Sequence, residues 1–245
     1  MIGRDERPLS DVPRAVTFTV GLALAAQLAL HGAAPRPAAQ AEDLPPPPSL
    51  EALALASLGD PVTLARLAML YVQSFDVQPG VLVPYSQLDY GRLTGWLDAI
   101  LRLDPLSEYP LFAASRLYSE VGDPARLRTA LEFVHRAFLE DPNRRWKAMA
   151  FAALTARHRL GDMPLALKYA EAIRTRVTAE GVPDWVRQMS VFILEDMDEL
   201  EAAKIMLGGM LAEGAVTDPN EARYLKDYLD RLEERAGRHS GKSTR

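Results

Sequence analysis

The sequence predicts an all-α fold of antiparallel helix pairs, preceded by one apolar helix near the N-terminus. Three observations carry this. From Ser49 onward, apolar residues recur every three or four positions, and no stretch alternates with period two. The dipeptide Asp-Pro punctuates the chain at 60–61, 104–105, 123–124, 141–142 and 218–219. Small or apolar residues return at intervals of 36 or 37 positions, the mark of an internal repeat.

The apolar helix comes first. Residues 16–34, beginning "VTFTVGLALAAQLAL", carry no charge and number 19, enough to cross about 30 Å of hydrocarbon at about 1.5 Å per residue. Arg4, Arg7 and Arg14 precede the stretch and only Arg36 follows it before Glu42 and Asp43. This imbalance predicts a cytoplasmic N-terminus (residues 1–15), a single-pass anchor in a bacterial inner membrane and a periplasmic C-terminal domain. A cleaved signal peptide ending at Ala39-Gln40-Ala41 is the competing reading, although that triplet lies far beyond the apolar run; a buried helix is the third.

Residues 35–48 end in four prolines and read as a Pro-rich tether. An extended polyproline II spacer rises about 3.1 Å per residue, and this reading is preferred to that of an SH3-type ligand. Beyond it, each Asp-Pro predicts a helix start: Asp caps the orphan N–H groups, and Pro at the first position loses nothing because its N–H would be unpaired anyway. The helices so placed span 49–57, 61–75, 89–103, 106–121, 124–140, 144–160, 163–179, 184–195, 197–213 and 219–236.

The repeat is read at offsets of 4, 7 and 12. Ala130, Val134, Ala137 and Pro142 match Leu93, Leu97, Ile100 and Pro105; Ala166, Ala170 and Ile173 follow, then Ala202, Met206 and Gly209. The starting positions 93, 130, 166 and 202 give steps of 37, 36 and 36. This pattern, with Gly-Asp turns at 122–123 and 161–162, resembles the tetratricopeptide repeat (TPR) over about residues 60–215. The resemblance implies a TPR-like α-solenoid over 49–237, closed by a C-terminal capping helix and followed by a disordered tail at 238–245. The first helix of each pair lacks the family's Trp and Leu-Gly signature. Gly122 and Gly161 are also 39 apart where the repeat step is 36. One connection departs from the rhythm: residues 76–88 form a long apolar link with two prolines. It reads either as a lid over exposed core or as a ligand-contacting loop.

Chemistry-bearing patterns are sparse. There are no cysteines, and His31, His135, His158 and His239 are scattered, which speaks against a metal site. "GRHSGKST" at 237–244 has the wrong glycine spacing for a phosphate loop, and GxSxG is missing. "EDMDELE" at 195–201 places five carboxylates at a helix junction, where they suit the positive end of the next helix. "DPNRRWK" at 141–147 surrounds Trp146 with three cations at a helix start. Positive charge opposes the dipole there, so local stability does not explain it. Either those side chains cover a solvated face or they form a recognition cluster. In TPR proteins the first helices of successive pairs line a groove; the residues that this resemblance would place there are Tyr109, Arg116, Arg145, Trp146, His158 and Arg187.

The net charge of −5 offers no case for nucleic acid. The expectation is therefore a non-enzymatic, membrane-anchored scaffold that binds a protein or an extended peptide, without cofactor or metal, in assembly of an envelope complex. The alternative is a structural solenoid that associates with itself.

Overall fold

The computed structural model describes residues 12–33, 41–78, 80–212, 216 and 218–242. The chain divides at Gln40 into two units. The first contains helix α1 (Arg14–Ala33), whose residues through Gly32 are all exposed. By length and composition it could cross a membrane. Its hydroxyl groups need local partners in such a setting, and the Thr19 hydroxyl donates to the Ala15 carbonyl at 2.8 Å.

The second unit, Ala41–Arg245, is helical apart from one small ribbon. Its helices are α2 (Leu50–Ala56), α3 (Pro61–Gln73), α4 (Tyr90–Leu103), α5 (Tyr109–Phe112), α6 (Pro124–Glu140), α7 (Pro142–Thr155), α8 (Met163–Arg176), α9 (Asp184–Asp196), α10 (Leu200–Ala212) and α11 (Pro219–Lys242). Helices α5 and α7 each run on into a π turn, Ala113–Leu117 and Ala156–Leu160. Each helix packs chiefly on its neighbours in sequence, with further contacts between α4 and α6 and between α5 and α7.

The caps form as local chemistry demands. Asp60, Asp123 and Asp141 accept from the N–H groups of Thr63, Ala125 and Arg144, each with Pro at the first helical position. Asp162 and Asp89 do the same for α8 and α4. Asp218 accepts from the Asn220 N–H at 2.7 Å. Asp104-Pro105 is the exception. Asp104 ends α4 and closes a turn to Ser107, and the next helix starts at Tyr109 rather than 106. The reason is Pro110: a helix begun at Pro105 would hold Pro110 in its interior, where the ring clashes and a hydrogen bond is lost.

The repeat positions face inward. Leu93, Leu97, Ile100, Ala130, Val134, Ala137, Ala166, Ala170 and Ile173 are at most 3% exposed. The fourth repeat needs a correction. Ala202 is exposed, and the buried set is Ala203, Leu207 and Met210, so the last step is 37 (203 − 166). The 39-residue turn spacing also resolves: the repeat residue is the fourth of α4, α8 and α10 but the seventh of α6. Helix α6 has simply gained three residues, nearly one turn, at its N-terminus, and keeps the same face.

Two expectations about connections change. The 76–88 link contains the antiparallel ribbon β1 (Val77–Gln78) and β2 (Val81–Leu82), so the unit is not purely helical. Gly80 supplies the positive φ, +80°, that its turn requires. Val83 and Leu88 are buried, Tyr85 meets the Tyr118 ring edge-on at 5.4 Å, and Arg126 donates to the Ser86 carbonyl. The link is thus packed down, with Val77 and Leu82 exposed on the ribbon.

The tether is the second. Residues 41–48 do not span open space: Leu44 is 1% exposed, and its neighbours lie along α4. Prolines bring no N–H groups to satisfy, so their carbonyls can be docked by donors at little cost. Residues 35–40 lie outside the described set.

Helix α11, expected as a cap, buries Leu225, Leu232 and Ala236. It continues through Lys242 where a disordered tail was expected from 238, since extending a formed helix costs far less than nucleating one. Residues 243–245 fall outside the described set.

Between α6 and α8, His135 stacks against Tyr169 at 5.1 Å. Burial first, then Lys168 and Arg176, hold its pKa below 6.5. Protonation therefore favours the unfolded chain: His135 contributes stability above the unfolded pKa that is lost as pH falls toward the folded one. Urea unfolding should show stability declining below about pH 6.5, and His135→Gln should flatten that part of the profile.

Candidate partner-binding groove

Tyr109, Phe112 and Arg116 stand at i, i+3 and i+7 on α5 and its π turn, so one stripe carries all three. All three are exposed, whereas Leu111, Ala113 and Ala114 between them are buried. Tyr109 and Phe112 stack with ring centroids 6.0 Å apart.

On one side of this stripe lies a cleft of about 570 Å³ between α3, the end of α4 and the start of α5. Arg66, Leu70, Gln73, Leu106 and Tyr109 line it. The Gln73 amide donates to the Tyr109 hydroxyl at 2.6 Å, which fixes the ring. On the other side a smaller cavity of about 100 Å³ opens between α5 and α7, lined by Phe112, Arg144, Lys147 and Phe151. Ser107 belongs to both. The Arg116 guanidinium lies 4.3 Å from the Phe151 ring centroid, a cation–π contact that holds it along the same surface. Lys147 and Glu108 face each other at 3.4 Å, both more than half exposed, so their pairing adds little stability. The result is an apolar, aromatic trough with an excess of cations.

The six residues expected at the groove divide. Tyr109 and Arg116 lie along it. Arg145 is 8% exposed; it donates to the Ala137 carbonyl at 2.7 Å and to the Pro105 carbonyl at 3.4 Å, and pairs with Glu140 at 3.2 Å. This answers the puzzle of a cation at the start of α7: Arg145 caps the preceding helix, α6, whose last carbonyls favour positive charge. Arg187 has a related structural use, tying down the loop that follows α8 rather than capping a helix. It is likewise the fourth residue of its helix and reaches eight residues back, to the Ala179 carbonyl at 3.0 Å. Arg187 lines a different, more polar cleft beside Trp185. Trp146 is half-buried against the main core, and His158 is exposed in the second π turn.

Replacing Arg145 by Met should lower stability by about 1–3 kcal/mol, because buried carbonyls lose their donor. Lys should not restore it, since a single ammonium cannot reproduce the planar fork across two carbonyls. Chemical denaturation of the three proteins checks this.

Lys147 belonged to the cation cluster read around Trp146, whereas Arg66, Leu70, Phe112 and Phe151 were missed. For Phe112 the signal was present in the i, i+3 spacing from Tyr109; for the others only the packing of α3 and α7 beside α5 reveals the shared surface. The carboxylates of 195–201 are used otherwise than expected. Glu195 accepts from Tyr228 and pairs with Arg235, and Asp196 pairs with Arg157, so the pair ties α9 to α11 and to the π turn after α7. Glu201 does lie in the first turn of α10. Among the described residues no group of three or more His, Asp or Glu is placed to hold a metal ion.

Compared with known protein families, curated proteins and solved structures, the chain matches none.

Proposed function

We propose that this chain is a membrane-anchored, TPR-like helical-repeat scaffold that holds an extended segment of a protein partner in the trough across α3, α5 and α7. The observation that carries this reading is the meeting of two clefts at Ser107 beneath one exposed stripe of Tyr109, Phe112 and Arg116. A trough across α3, α5 and α7 suits a solenoid reading, in which the first helices of successive pairs line a groove. Its apolar floor and the cations Arg66 and Arg116 suit a segment with apolar and acidic side chains, while Arg144 and Lys147 are paired with Asp141 and Glu108. Helix α1 supports attachment to an inner membrane, and the arginine imbalance supports a periplasmic domain engaged in envelope assembly.

The test places a photo-crosslinking residue at Tyr109 in intact cells, with Arg136, exposed on α6, as the control position. A discrete adduct from 109 but not from 136 is expected; equal or no adduct at both would defeat the proposal.

A second reading, self-association, draws on Leu55 and Leu58, which are 80% and 94% exposed at the α2 end of the unit. Sedimentation of the 41–245 fragment discriminates: a monomer at high concentration rules it out.

A further inference from the structure

Residues 41–48 are held in an unusual manner. Among the described residues, no backbone–backbone hydrogen bond ties this stretch to the helices or the ribbon. Every polar attachment comes from side chains instead. The Trp96 indole N–H donates to the Pro45 carbonyl at 2.8 Å, and the Arg92 guanidinium donates to the Leu44 carbonyl at 3.0 Å. The Gln78 carboxamide accepts from the Glu42 N–H and donates to its carbonyl, both at 2.8 Å. Gly95 completes the seat: a Cβ there would stand 3.0 Å from the Pro47 ring, so the bare backbone makes room for it. The Leu44 side chain, 1% exposed, packs into the unit's main apolar core. Tyr71 abuts the Trp96 ring at 5.3 Å, enlarging the aromatic surface.

These are the elements by which aromatic grooves recognise polyproline II ligands: a preformed backbone that is donor-free from Pro45 onward, an aromatic wall with an N–H aimed at a carbonyl, and burial of one apolar side chain. Each residue before a proline is already biased toward that extended conformation, so binding orders little that is free. The geometry points to a polyproline-recognition site on α4, built from Trp96, Arg92, Gly95 and Gln78, whose ligand is this chain's own segment Glu42–Pro47. Held as a ligand, the segment can leave without breaking a helix or the ribbon. Engagement then sets how much chain separates Ala33 from its first fixed point: eight residues, 34–41, when the seat is filled and sixteen, 34–49, when it is empty. The longest spans those lengths allow are about 28 and 55 Å. The seat therefore works as a clasp on the link to α1, and it is independent of the α3–α5–α7 trough.

The experiment uses the full chain in detergent and a fluorescently labelled peptide of residues 41–49, with binding read by anisotropy. In the native protein the attached segment occupies the seat at high effective concentration and excludes the peptide. Leu44→Asp, which removes the anchoring side chain, should open the seat and raise peptide affinity at least tenfold over the native chain. Adding Gly95→Ala to Leu44→Asp should then lower that affinity about fivefold or more, although Ala strengthens a helix, so unfolding cannot mimic the result. Three outcomes overturn the proposal: equal binding to native and Leu44→Asp chains, no binding to a folded Leu44→Asp chain, or loss of the helical circular-dichroism signal in that variant, which would make the segment part of the core rather than a ligand.

Discussion

Phe138→Ala should lower the stability of the helical unit by about 3–5 kcal/mol and its melting temperature by roughly 10 °C. Phe138 is 0% exposed on α6, a helix that also buries Leu127, Ala130, Leu131, Phe133, Val134 and Ala137. Those positions surround much of the helix, because α6 contacts α4 on one side and α7 on the other, besides both π turns. Truncation there removes apolar contacts and leaves a cavity that neighbours packed on both sides cannot close. Calorimetry of residues 41–245 measures it, with Phe112→Ala as the comparison. Phe112 is the same residue type at 44% exposure, and its loss should cost less than about 1 kcal/mol. Comparable losses from the two would mean that the burial pattern assigned to α6 is wrong.

The pair Phe112→Ala and Arg116→Glu, combined, should have the opposite profile. Stability should stay within about 1 kcal/mol of native, since both side chains are exposed and an exposed cation–π contact is worth about 0.5–1 kcal/mol. Partner capture through position 109 should fall by about 100-fold or more, as expected when an aromatic anchor and an arginine at the centre of an interface are removed together. The charge reversal adds repulsion toward an acidic segment. Quantifying the crosslinked adduct against total protein reads the loss. An undiminished adduct from a folded double variant would remove the trough from consideration.

Much of the helical architecture was legible because its determinants are local. Asp123 caps α6 through N–H groups two and three residues away, and Pro124 fixes the first helical φ without sacrificing a bond. Leu93, Leu97 and Ile100 lie on one face by helical geometry alone. Where local rules conflict, the reading slipped. Pro105 and Pro110 both offer a first turn, and only a start at the second keeps both outside a helix interior. Ala202 and Ala203 are equally small neighbours, and nothing within a few residues says which one meets α9 and α11.

The groove was half legible. A stripe such as Tyr109, Phe112 and Arg116 is written in one helix, and its spacing is visible without coordinates. Arg145 shows the opposite case. A cation at a helix start is unfavourable by its own helix's dipole, and its use becomes clear only when the carbonyl ends of α6 are seen to lie beside it.

By itself, then, the sequence determined most helix starts, which faces are apolar, and that a long apolar helix precedes the rest, because capping, propensity and periodicity act over a few residues of chain. The tertiary structure alone decided that Arg145 and Arg187 serve the fold, that Glu195 and Asp196 tie helices together, and that Leu44–Pro47 is seated on Trp96 rather than left in solvent. Those outcomes turn on partners such as Trp96 and Pro45, 51 residues apart, and no spacing rule along the chain encodes which distant donor will meet which carbonyl.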